Sequence, residues 1–108
     1  IIKAAGYFAL NMLGKNQSIA AYAFFKPAVK SDGKISGEPV RRGTTGAPIM
    51  ESAPAYLECK LIETVERGDH SIFIGEVINA GLNDAIEGRP DETTLTLKDL
   101  GEKVFYGG

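Results

Sequence analysis

A stretch near the middle of the chain, 55–67, alternates between apolar and polar positions, as a half-buried β-strand does, and a second strand-like run, 70–79, is apolar on both faces. In the first stretch the alternation predicts an inward-facing Cys59 and an outward-facing Glu58. The stretches are joined by Gly68-Asp69, and a glycine in the first position of a two-residue loop is typical of a type II′ turn. We therefore predict an antiparallel hairpin. Because both faces of its second strand are apolar, we expect the hairpin to form part of a covered barrel wall.

The pattern before the hairpin predicts one more strand and one short helix. Residues 6–13 form a largely apolar run that stops at Gly14, which favours a buried strand. Asn16 then stands where its side chain can accept a hydrogen bond from a first-turn amide, and we expect it to cap a helix over 17–25. Pro27 lies beyond the expected helix end.

The other segments have weaker patterns. Residues 26–47 show no periodicity, and a structureless connection of about twenty residues is usually either functional or mobile. Residues 81–92 are polar and are expected to form a loop, whereas 93–97 and 104–106 are strand-like. The pattern as a whole predicts a mainly β domain with one short helix.

Composition and charge narrow the class of protein. The chain has 108 residues, 44% of them hydrophobic, which suits a single globular domain. Its net charge of -2 argues against a nucleic-acid partner, and the absence of an apolar run of about 18 residues argues against a membrane span. Cys59 is the one cysteine and has no partner for an internal disulfide, which suits the reducing cytoplasm.

His70 is the chain's only histidine and its first candidate for chemistry. No cysteine, histidine or carboxylate cluster accompanies it at metal-ligand spacing, and the sequence lacks the Gly-x-Ser-x-Gly nucleophile motif. On the residues alone, a local structural role is favoured, with the ring bonded to Asp69 or to a backbone carbonyl.

Two further groups of residues have an ordinary and a functional interpretation. Residues 41–46, Arg-Arg-Gly-Thr-Thr-Gly, could wrap an anion with backbone amides and guanidinium groups, although a solvated loop is the simpler interpretation. Aromatic residues could stack on a ligand ring, although aromatics at this spacing are more often core. These residues are Tyr7, Phe8, Tyr22, Phe24 and Phe25.

Four segments together resemble a known family. Residues 8–13 read Phe-Ala-Leu-Asn-Met-Leu, and 46–49 read Gly-Ala-Pro-Ile. Residues 53–61 read Ala-Pro-Ala-Tyr-Leu-Glu-Cys-Lys-Leu, and 68–77 read Gly-Asp-His-Ser-Ile-Phe-Ile-Gly-Glu-Val. In this order they resemble the flavin reductase-like family of FMN-binding split barrels. Members of that family carry Phe-x-Val-Asn-x-Leu, Gly-x-Pro-x-Leu and Ala-x-x-x-Leu-Glu-Cys, followed by Gly-Asp-His and Gly-Glu-Val.

The resemblance implies a fold, a cofactor and a set of site residues. The fold is an antiparallel split barrel, of which residues 1–108 would be the C-terminal part, with the first strands before Ile1. The cofactor is FMN, reduced by hydride from NADH or NADPH. The resemblance makes His70 the catalytic candidate, near both flavin and nicotinamide. The implied cofactor-binding residues are Asn11, Asp69, His70 and Tyr106.

The resemblance also implies partners. Members of the family usually form homodimers with the flavin at or near the interface, and their electrons pass to an acceptor protein or a fused domain. An alternative from another class is a domain that binds FMN without turnover and only relays electrons between fused domains. Slow direct oxidation of NADH or NADPH would distinguish that alternative from a reductase.

Overall fold

The computed structural model describes residues 2–25, 30–31, 33–85 and 88–101, and within these ranges the chain is mainly β. Its elements in chain order are α1 (Ile2–Ala5), β1 (Tyr7–Met12), α2 (Ser18–Ala23), β2 (Lys30–Ser31), β3 (Lys34–Ile35), β4 (Glu38–Arg42), β5 (Pro48–Met50), β6 (Ala55–Arg67), β7 (His70–Leu82), α3 (Pro90–Thr93) and a 3₁₀ helix (Leu97–Leu100).

The strands form two antiparallel sheets. The first has the order β1-β6-β7 and the second the order β2-β3-β4-β5. Across the described ranges both sheets are open and do not close into one cylinder. The predicted mainly β, antiparallel class is therefore confirmed. No helix of the described residues has the length and apolarity needed to cross a bilayer.

The predicted hairpin is present and dominates the first sheet. Strands β6 and β7 pair over their whole length, and Arg67 stands opposite His70 across the two-residue turn. Gly68 adopts a φ of 73°, a backbone conformation that glycine reaches without a steric penalty. The second strand runs three residues further than the predicted end at Asn79, to Leu82.

A close contact fixes β1 on this hairpin. Phe8 stands opposite Cys59, and its ring lies over Gly75 of β7, where an added Cβ would be 2.5 Å from the Phe8 Cζ. Gly75 therefore provides the space that the aromatic ring occupies. Cys59 is a free thiol with 3% exposure, which confirms its predicted role as a small buried residue.

The outer strand β7 is open on both faces in the described chain. Its exposed apolar side chains are Ile72, Phe73, Ile74, Val77, Ile78 and Leu82. The expectation of a covered barrel wall is therefore not met within the described residues. The covered part of the molecule lies between the two sheets, where Ile49, Ala53 and Glu58 are fully buried.

Two predictions before the hairpin need correction. Residues 26–47 are not structureless, because 30–31, 34–35 and 38–42 pair in sequence as short antiparallel strands. Strands of two to five residues are too short to show a period of two. The predicted helix forms, but Gln17 occupies the N-cap position with no capping bond from its side chain, so the capping role given to Asn16 is wrong.

The expected strand at 93–97 is also wrong. Pro90 begins a short helix that ends at Thr93, and Thr94 makes only an isolated bridge with Gly14. Thr96 then caps the 3₁₀ helix in a reciprocal capping box with Asp99. The strand expected at 104–106 lies outside the described residues.

Candidate functional site

The most enclosed polar group in the described chain is the carboxylate of Glu58, which has no solvent exposure. Its Oε1 accepts the Thr45 backbone N–H at 2.9 Å and the Thr45 hydroxyl at 2.8 Å. Its Oε2 accepts the Asn79 side-chain amide at 2.6 Å. Both oxygens are thus satisfied, as a buried charge requires.

These donors change the acidity of Glu58. Together these donors lower the pKa of Glu58 from 4.5 to about 2, with the backbone N–H of Thr45 as the largest cause and the Asn79 amide and the Thr45 hydroxyl as smaller ones. Desolvation raises the pKa but is outweighed by these hydrogen bonds. Glu58 therefore carries a negative charge throughout the physiological pH range.

The turn at 43–47 is built around this internal anion. Gly43 leaves room for the Glu58 carboxylate, because an added Cβ at that position would overlap both it and Ile49. The turn also closes on itself, with Gly43 N–H donating to the Ala47 carbonyl at 2.9 Å and Gly46 N–H to the Gly43 carbonyl at 3.0 Å. The sequence indicated that this loop could hold an anion, and the anion that Thr45 holds is the side chain of Glu58.

Sequence reasoning missed Glu58 because it was expected to face outward. The alternation along β6 is real, and Glu58 does lie on the opposite face from Cys59. That face is covered by the second sheet, where Ile49 packs beside the carboxylate. A period of two separates two faces but does not show whether one or both are covered.

Asn11 lies where β1 meets the second sheet. Its Oδ1 accepts the Met50 backbone N–H at 2.9 Å, and its Nδ2 donates to the Pro48 carbonyl at 3.4 Å. These bonds tie β1 to β5. Asn11 therefore has a structural task in the described chain, and its predicted contact with flavin stays a prediction.

Asp69 and His70 lie at the tip of the long hairpin. The His70 Nδ1 is 3.0 Å from the Asp69 Oδ1, and their side chains are 63% and 92% exposed. This is the local bond that a structural role predicts, but the exposed ring is also free to meet a ligand. Asn11 pairs with the other end of β6, opposite Tyr56, so the fold of the described chain does not bring Asn11 and His70 together. Tyr106 lies outside the described residues.

A cleft of about 460 Å³ opens beside β1. Tyr7 and Ala9 line one side, Thr45 and Pro48 line the other, and Arg42 also lines it. Its size is within the range of small-molecule sites, and it combines an aromatic ring with cationic and hydroxyl groups. These residue types fit a phosphorylated flavin, which needs an apolar surface for its ring and positive charge for its phosphate.

The open antiparallel β-domain with one long hairpin defines a class of fold that known proteins share. The sequence profile described as "Flavin reductase like domain" matches residues 1–100, and the chain belongs to this family. A relative from Rhodococcus opacus, the reductase component of a 4-nitrophenol 4-monooxygenase/4-nitrocatechol 2-monooxygenase, is 32% identical over 79 residues, or 73% of this chain and 40% of the relative.

Solved structures agree with this assignment. The NADH:FAD oxidoreductase SgcE6 of Streptomyces globisporus superposes with a TM-score of 0.60 at 36% identity, covering 75% of this chain and 49% of that one. An FMN-binding protein from Thermus thermophilus has a TM-score of 0.63 at 26% identity, covering 76% and 46%. The chain spans less than half the length of three curated relatives that it matches, at 25%, 40% and 43%.

Proposed function

We propose that this chain is part of an NAD(P)H-dependent flavin reductase, which takes hydride from NADH or NADPH to FMN and passes the electrons to an acceptor. The observation that carries the proposal is the fold and the 36% identity shared with an NADH:FAD oxidoreductase. When bound, FMN supplies a ring that accepts the hydride. The protein's task is to hold the nicotinamide against that ring and to exclude water.

We propose that His70 positions the nicotinamide. Its ring is exposed on a two-residue turn, so its backbone is fixed while its free nitrogen can bond a ligand. The hydrogen bond that the His70 Nδ1–H donates to the Asp69 carboxylate orients the imidazole and leaves Nε2 for a carboxamide or for the flavin. Asp69 thus acts through His70.

A homodimer follows from the same proposal. Asn11 and His70 stand at opposite ends of the first sheet, and a partner copy could bring its hairpin tip to the β1 end of this one. The open β7 edge, with Ile72 and Ile74 exposed, supports such an association, because unpaired apolar edges favour pairing. Sedimentation of the wild type and an Ile74→Lys variant tests it, and a monomeric wild type would contradict it.

The proposed acceptor is an oxygenase that consumes reduced flavin. A relative 32% identical to this chain is the reductase component of such an enzyme. A fused acceptor domain would serve the same chemistry. We keep the cytoplasm as the expected compartment, because the free thiol of Cys59 suits a reducing environment.

The alternative is an FMN-binding module that relays electrons without reacting with nicotinamide. One observation favours it, because within a single described protomer the candidate residues do not converge. Steady-state oxidation of NADH and NADPH, with FMN supplied and the protein concentration varied, separates the two. The reductase gives protein-dependent, saturable oxidation. The module binds FMN and leaves both nicotinamides unoxidised.

A further inference from the structure

Four basic residues line one region of the surface. Lys30, Lys34, Arg41 and Arg42 border a cleft of about 280 Å³ on the second sheet. The chain has 14 acidic and 12 basic residues, yet none of the described residues lining this cleft is acidic. A third of the basic residues thus borders this cleft, and no carboxylate of the described residues lines it with them, whereas an ordinary solvated surface intersperses both signs.

Two of these cations also border the cleft beside β1. Both clefts are lined by the same four residues, Lys30, Arg42, Gly46 and Pro48. The cleft bordered by the four basic residues and the cleft that contains Tyr7 therefore share a wall. An elongated ligand can therefore place an aromatic ring at one end and an anionic group at the other. The aromatic end offers Tyr7, whose ring is partly exposed.

Arg41 and Arg42 differ in how much of their binding capacity is used. Arg41 donates to Asn83 at 2.9 Å and lies over the Tyr56 ring at 5.1 Å. Among the described residues the Arg42 side chain makes one hydrogen bond, from Nη1 to the Gly46 carbonyl at 3.3 Å, which leaves most of its five N–H donors unused there. In the described ranges neither Lys30 nor Arg42 forms an ion pair with a carboxylate.

The wall that carries Arg42 is held in place. Its neighbouring turn is bonded to buried Glu58 through Thr45, and Gly43 cannot move inward without meeting that carboxylate. A cation mounted on a fixed wall loses less conformational entropy on binding than one on a free loop.

We propose that the joined clefts bind a phosphorylated nucleotide, with its aromatic ring beside Tyr7 and its phosphate between Lys30 and Arg42. The inference rests on the proposed function and assigns its ligand contacts. Guanidinium and ammonium groups bind phosphate through charge-assisted hydrogen bonds, and Arg42 can do so with two donors at once. The phosphate comes from FMN or from the additional phosphate that NADPH carries and NADH lacks.

Paired ligands that differ by one phosphate provide the test. We would measure the affinity of the full chain for two pairs of ligands, FMN with riboflavin and NADPH with NADH. The proteins compared are the wild type, Lys30→Gln, Arg42→Gln and the double variant. Lys98→Gln, an exposed lysine outside both clefts, is the matched control. We expect the double variant to weaken binding of the member with the additional phosphate, FMN or NADPH, by about 10-fold or more, with less than about a 2-fold change for riboflavin or NADH in the same pair. The affected pair identifies the source of the phosphate.

Several outcomes would overturn the inference. One is an unchanged affinity of the double variant for both FMN and NADPH. Another is an equal loss of affinity for riboflavin and for FMN, because an equal loss reports damage to the site of the flavin ring. Unchanged FMN and NADPH affinities in a variant that still oxidises NADH with FMN reject this inference and leave the proposed function standing. If the wild type binds no flavin, the proposed function fails, and the NADPH-to-NADH ratio alone decides the phosphate site.

Discussion

Thr45 provides the Glu58 carboxylate with two donors, its backbone N–H at 2.9 Å and its hydroxyl at 2.8 Å. These two hydrogen bonds join the turn between β4 and β5 of the second sheet to β6, the central strand of the first sheet. Hydrogen bonds to an ionised group are stronger than neutral ones, so this contact fixes the spacing between the sheets. Thr45 also lines the cleft beside β1, and a buried charge thereby sets the position of one wall of that cleft.

Replacement of Glu58 should show in the pH dependence of stability. Its folded-state pKa of about 2 lies below the usual 4.5, so its contribution is complete above pH 4.5 and is lost as the pH falls towards 2. Glu58→Gln should cost about 1–3 kcal/mol at pH 7, and the difference from wild type should shrink between pH 4.5 and 2. Urea unfolding across that range measures it. A difference independent of pH would show that the charge of Glu58 adds nothing.

The contact between Asn79 and Glu58 predicts a compensating pair. Asn79→Asp places two carboxylates at the position of a 2.6 Å hydrogen bond and should destabilise the fold by about 3 kcal/mol at pH 7. Adding Glu58→Gln places a side-chain amide donor at position 58 opposite the new carboxylate acceptor at position 79. The double variant should therefore recover most of the lost stability. Urea unfolding of the four proteins gives the coupling energy. Additive losses would mean that the two side chains do not interact.

The approach of Phe8 to Gly75 predicts a steric effect. Gly75→Ala puts a Cβ within 2.5 Å of the Phe8 ring and should cost about 1–3 kcal/mol of unfolding free energy. A Phe8→Leu change in the Gly75→Ala background should cost less than it does in wild type, because the smaller side chain removes the overlap that the added methyl group creates. Ser71→Ala, at an exposed position of the same strand, is the control, with a change within about 0.5 kcal/mol. A Gly75→Ala protein as stable as that control would contradict the contact.

The hairpin could be predicted from the sequence because its signals are local. Alternation over a long run and a glycine at the turn determine both strands and the register of Arg67 against His70. The capping box of Thr96 and Asp99 is an equally local signal for a helical turn, but the prediction of a strand at 93–97 did not take it into account. That error shows that capping patterns can outweigh propensity over five residues.

The candidate site could be predicted only in part, because its contacts are distant in sequence. Glu58 meets Thr45 across thirteen residues and Asn79 across twenty-one, and no spacing rule connects them. The family motif led to Asn11 and His70, but it did not show that Asn11 bonds to β5. Burial of Glu58 depends on which face the second sheet covers, and that is a property of the tertiary structure.

Replacement of His70 separates a structural role from a positioning one. Because its side chain is 63% exposed, His70→Ala should change the unfolding free energy by less than about 0.5 kcal/mol and leave FMN affinity nearly unchanged. The kcat/KM for nicotinamide should fall about 10-fold or more, equal to about 1.4 kcal/mol of transition-state stabilisation. Asp69→Asn keeps the ring and should have a smaller effect. A variant that unfolds easily while its folded fraction reduces flavin at the normal rate would make His70 structural.

Reduction of bound flavin in a single turnover tests the central claim most directly. The protein is mixed with FMN and then, without oxygen, with NADH or NADPH in a stopped-flow instrument that follows the visible flavin absorbance. A flavin reductase bleaches that band at a rate that saturates with nicotinamide and consumes one nicotinamide per flavin. Bound FMN that keeps its absorbance with either nicotinamide, while an external reductant bleaches it, would contradict the account.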